Sequence, residues 1–110
     1  VTALECVHDM ADPVGALATM RRLAGEDGTV LVMDERAGDT FADRTEIEAL
    51  LYGFSVTHCL PVGLAERPSA ATGTVMRAGT LESYAEAAGF ASVEVLPIEN
   101  FFFRFYRLEP

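Results

Sequence analysis

The sequence predicts an α/β domain built on a mostly parallel sheet that ends in an antiparallel hairpin. Three observations carry this. Apolar, β-compatible segments alternate with segments of helical spacing, which implies right-handed βαβ crossovers. Thr29-Val30-Leu31-Val32-Met33 is an unbroken apolar run, the pattern of a strand covered on both faces. The last two strand-like segments are separated only by Glu99-Asn100, which permits nothing but an antiparallel hairpin.

The elements follow in order. Val1 to Val7 reads as a buried strand that runs into the polar cluster His8-Asp9-Met10-Ala11-Asp12. Asp12 before Pro13 is an N-cap followed by a proline suited to the first helical position. Ala16, Leu17, Met20, Leu23 and Ala24 then recur at helical spacing, Arg21 and Arg22 complement the helix dipole, and Gly25 ends the helix. The strand after Gly28 closes on Asp34-Glu35. Thr45-Glu46-Ile47-Glu48 has the form of a capping box, and Ile47, Leu50, Leu51, Phe54 and His58 continue one helical face, with Phe54 read as core. Residues 61–79, with Pro61, Gly63, Pro68, Gly73 and Gly79, read as a long irregular loop of the kind that often forms a lid. Thr80 caps a third helix that turns Leu81, Tyr84, Ala85 and Ala88 inward and ends at Gly89. Val93 to Ile98 and Phe101 to Leu108 are the hairpin strands.

Composition narrows the function. A chain of 110 residues supports one small domain. A net charge of −9 argues against nucleic acid or an anionic membrane as a direct partner, because phosphate contacts need cations. The apolar stretches are too short to span a bilayer, and no charged-then-apolar leader opens the chain. Cys6 and Cys59 stand far apart with no CxxC or Cys/His cluster, so neither a disulfide scaffold nor a metal site is expected and a cytoplasmic setting fits.

Five segments carry a resemblance: Glu5 to Pro13; Met20-Arg21-Arg22-Leu23-Ala24; Asp27 to Glu35; Tyr84 to Phe90; and Arg104 to Leu108. Together they resemble the Rossmann-like C-terminal half of class I S-adenosylmethionine-dependent methyltransferases, from the fourth strand onward. On this resemblance residues 1–110 form one partial domain, and the family's glycine-rich cofactor loop and ribose-holding acid fall before Val1. The His8-Asp9-Met10-Ala11-Asp12 cluster is similar to the corresponding segment of small-molecule O-methyltransferases that carry an upstream winged-helix dimerisation domain. Met10 stands where that segment has tryptophan, and no carboxylate matches near Arg77-Ala78.

The resemblance implies that His8 is the general base for an accepting hydroxyl and that Asp34 orients it, with Glu35 as the fallback. It implies S-adenosylmethionine as cofactor in the full-length protein, with Leu4, Glu5 and Met10 forming one wall of its site, and Tyr52 and His58 facing a small aromatic or polyketide-like substrate. A homo-oligomer is expected, because the Val1 to Val7 edge lies bare. Position alone supports the chemistry: His8 leaves the carboxyl end of a parallel strand, where open α/β sheets place their sites. An imidazole titrates near neutrality and a carboxylate on its second nitrogen fixes the tautomer. The other reading of His8 is a hydrogen bond to a loop carbonyl. Asp9 and Asp12 read as caps rather than metal ligands. A methyltransferase-like fold without catalysis, serving as a binding or oligomerisation module, is the alternative function.

Overall fold

The computed structural model describes residues 1–43 and 45–110. Its sheet has the order β1-β2-β4-β3, with β1 Thr2–Leu4, β2 Val30–Glu35, β3 Ser92–Val95 and β4 Phe103–Glu109. β1 pairs with β2 in parallel, Ala3 opposite Val32, and β4 is antiparallel to both β2 and β3. Three strands thus point one way and β4 alone runs against them.

Two helices, α1 Pro13–Ala24 and α4 Ala78–Ala87, supply the main core with Leu17, Met20, Leu81 and Ala85, which cluster with Ala3, Val30, Val32, Tyr106 and Leu108 of the sheet. Val30, Val32 and Leu108 are fully buried, each contributing about 1.5–3 kcal/mol. Asp12 caps α1 as expected, its Oδ1 accepting from the Gly15 N–H at 2.9 Å with Pro13 at the first position. Leu23 does not join the buried stripe and is 72% exposed. At about 100° per residue it stands roughly 90° from the centre of the stripe made by Pro13, Leu17 and Met20, on the flank of the helix.

The structure corrects several sequence expectations. β1 ends at Leu4 rather than Val7: Glu5 takes a left-handed φ of 53°, and Val7–Asp9 forms a 3-10 turn that buries Val7 and His8. β2 is buried along one face, at Val30, Val32 and Asp34, whereas on the other Leu31 and Met33 are half-buried beside Phe105 and Arg107 and burial is reached only at the terminal Glu35. The final connection is not a two-residue turn. Pairing ends where the Leu96 N–H meets the Phe105 carbonyl, and Pro97, which has no N–H, cannot extend the ladder. Residues 96–102 make the reversal, with Asn100 Oδ1 accepting from the N–H groups of Phe102 and Phe103.

The middle segment is more helical than expected. α2 Glu48–Phe54 runs through a π turn, Ser55–Cys59, into α3 Leu60–Gly63, so the irregular loop starts after Gly63 rather than at Pro61. The capping box does not form. Ile47 is the N-cap, without a side-chain bond, and Glu48 Oε1 instead accepts from the Gly38 N–H at 3.1 Å and Arg77 Nη1 at 2.9 Å. Phe54 is 44% exposed and not core. Leu51 and Ile47 are the buried anchors, in a second small core with Ala37, backed by Val75 and Phe102, that seats this helical run at the end of β2. α4 starts at Ala78, two residues before Thr80, and ends at Ala87, with Gly89 just past the cap at a φ of 90° that suits glycine. No helix among the described residues is long and apolar enough to cross a membrane.

Candidate active site

His8 and Asp34 meet at the carboxyl ends of the two parallel strands. The 3-10 turn after β1 lays the imidazole against the end of β2, where Nδ1 and Asp34 Oδ1 form a short, buried hydrogen bond. His8 is 2% exposed and Asp34 0%. Asp34 Oδ1 also accepts the Glu35 N–H at 3.1 Å, which fixes the carboxylate. Glu35, the fallback partner, is brought in as well: its Oε2 lies 3.1 Å from the same Nδ1. A single N–H cannot serve both acids, and Asp34 Oδ2 and Glu35 Oε2 are left without hydrogen-bond partners.

The electrostatics follow from this crowding. Burial pushes the His8 pKa down, but hydrogen bonds to Asp34 and Glu35 and their charges outweigh it and lift the pKa to about 11. The resting ring is therefore the imidazolium. Burial raises the Glu35 pKa; His8 pulls it back and Asp34 raises it further.

The other ring nitrogen, Nε2, faces Asp9 Oδ1 at 3.2 Å. Cys59, buried on the π turn, comes to the same place: a ring nitrogen of His8, an Asp9 oxygen and the Cys59 sulfur lie within 4.8 Å of one another. The backbone holds this segment and the loop after it close to the turn. The Gly73 N–H donates to the His8 carbonyl at 3.1 Å, and a side chain at Gly63 would press within 3.3 Å of the Asp9 carbonyl.

The remaining sequence candidates are spread around this centre. Leu4 and Glu5 are exposed where the chain leaves β1, and Met10 is half-buried. Met10 lines a cleft of about 500 Å³ with Asp9, Asp12, Val62 and Glu66. Tyr52 is exposed, receives a hydrogen bond from Arg77 Nη2 at 3.2 Å, and lines a separate pocket of about 260 Å³ with Phe41 and Glu48. His58 is exposed; its neighbour Cys59 is the residue of that helix that reaches His8. The sequence shows no Cys/His cluster around Cys59, so its place beside His8 is a finding of the fold, and it gives Arg77 no role. The only sequence signal for Arg77 was the carboxylate missing there, and Glu48 now supplies an acid from across the fold.

Comparison of the sequence with family models and with curated proteins finds no match. Among solved structures the chain is similar to an O-methyltransferase family protein from Burkholderia thailandensis, with a TM-score of 0.65 and 18% identity. The match covers 99% of this chain and 29% of that one, so the chain spans under a third of the neighbour's length. The chain has the fold of a methyltransferase.

Proposed function

We propose that the chain is the C-terminal portion of an S-adenosylmethionine-dependent methyltransferase that O-methylates a small hydroxylated, aromatic or polyketide-like acceptor, with His8 as general base. The observation that carries this reading is the buried bond between His8 Nδ1 and Asp34 at the mouth of the parallel strands. With Nδ1–H committed to a carboxylate, the tautomer is set and Nε2 is the nitrogen left to receive a proton.

When bound, S-adenosylmethionine supplies a methyl group on a cationic sulfur, open to in-line displacement. The chain's own residues align the acceptor, exclude water and move a proton. The proton that keeps the resting ring charged must leave before His8 serves as base, and a positive charge brought beside an imidazolium favours that loss. The acceptor hydroxyl also needs a path to Nε2, so the helical run 48–63 has to shift away from His8. Leu4, Glu5 and Met10 would then meet the cofactor, while Tyr52 faces the acceptor from the adjoining pocket.

The test is methyl transfer from labelled S-adenosylmethionine by the natural full-length protein across a panel of phenols. His8→Ala should lower turnover about 100-fold or more, with S-adenosylhomocysteine binding retained in a calorimetric titration. Unchanged turnover would reassign His8 to structure. No cofactor binding by the wild-type protein would leave the non-catalytic module.

A further inference from the structure

The fold builds a donor set that no stretch of the sequence displays. His8 comes from the turn after β1, Asp9 from the same turn, and Cys59 from the π turn some fifty residues later. Imidazole, carboxylate and thiol are the three side-chain types that bind zinc, and three protein ligands with an open fourth position is the usual layout of a non-structural zinc site.

Three observations make this more than a list of residue types. First, the approach of Nε2 to Asp9 Oδ1, 3.2 Å, makes no hydrogen bond, and Asp9 Oδ1 is buried without a partner. Two ligand atoms bound tetrahedrally at 2.0–2.1 Å sit about 3.3 Å apart, so these two atoms are already spaced as ligands. Second, the far side of the ring carries the support that metal-bound histidines have, Nδ1–H held by a buried carboxylate, here Asp34. Third, Asp9 is 31% exposed and borders the cleft beside Met10, giving an ion a way in. The π turn explains the sulfur. Its wider turn separates buried Ser55 and Cys59 from exposed Val56, Thr57 and His58, turning the thiol and not the second imidazole toward His8.

We infer that His8 Nε2, the Asp9 carboxylate and Cys59 Sγ form a binding site for one thiophilic divalent cation of the zinc class, with Asp34 positioning the imidazole. Binding requires Nε2 and the thiol to release their protons. The site does not depend on the methyltransferase reading. If both hold, the ion and the acceptor compete for Nε2, and zinc inhibits transfer.

Cobalt(II) is the probe, because its thiolate charge-transfer band and tetrahedral d–d bands report the ligands directly. The chain titrated with cobalt(II) should show both at one equivalent, and zinc should displace the cobalt. Cys59→Ala should remove the charge-transfer band and weaken zinc binding at least about tenfold, whereas Cys6→Ala should do neither. Asp34→Asn, if circular dichroism reports a folded chain, should keep the band and lose about 10- to 100-fold in affinity. Absence of the band in the wild-type chain, or its persistence in Cys59→Ala, would overturn the site. Because the readout is optical and needs no cofactor, its failure is separate from a failure of methyl transfer.

Discussion

His8 sits among more negative charge than one imidazole can neutralise. Asp34 and Glu35 share Nδ1, and Asp9 stands at Nε2. Because the folded pKa of about 11 lies above the ordinary value of 6.5, folding favours the protonated ring. Its contribution to stability is fully present below about pH 6.5 and is lost as pH rises toward 11. The raised Glu35 carboxyl acts with the same sign at lower pH. Chelator-treated protein should therefore lose stability in urea between about pH 7 and 10, and His8→Gln should flatten that slope; equal slopes in the two proteins would show that the clamp adds nothing. The pairing of His8 with Asp34 was expected from the resemblance, and the ends of neighbouring parallel strands, about 4.8 Å apart, allow it. Cys59 was not legible, since a regular helical count through 47–58 picks His58, and only the π turn shifts the inward position by one.

At the level of elements, the helix caps and apolar periods were readable where a local rule decides them. Asp12-Pro13 and Gly89 each act on their own turn. The misread elements are those where a distant partner wins: Glu48 leaves its capping role for Gly38 and Arg77, and Pro97 stops a ladder that the apolar pattern would continue. β1 is the element with most consequence beyond the monomer. It pairs with β2 on one side, and Val1 and Leu4 beside its other edge are 44% and 53% exposed. An edge of this kind pairs with another strand. We propose self-association of the chain through it. Sedimentation should show a dimer or larger species that Thr2→Pro dissociates, because Val1, Ala3 and Glu5 bond toward β2 and Thr2 turns its N–H to the free edge, where proline removes a donor; a monomer at micromolar concentration would refute it.

For the whole molecule, the alternation of strands and helices was enough to predict the sheet, and the one reversed strand came from the terminal hairpin pattern. The half-covered second face was not readable, because an unbroken apolar run reports what a strand can bury and not what covers it. At its mouth the fold presents one imidazole gripped by one carboxylate, and the functional proposal rests on that pair. The most direct test is a proton–nitrogen spectrum of the imidazole nitrogens of the chain, followed across pH in chelator. The clamp predicts a strongly downfield Nδ1 proton for His8, a ring still protonated well above neutrality, and loss of both in Asp34→Asn. A His8 ring that titrates as a free imidazole near about pH 6.5, with no protected Nδ1 proton, would contradict it.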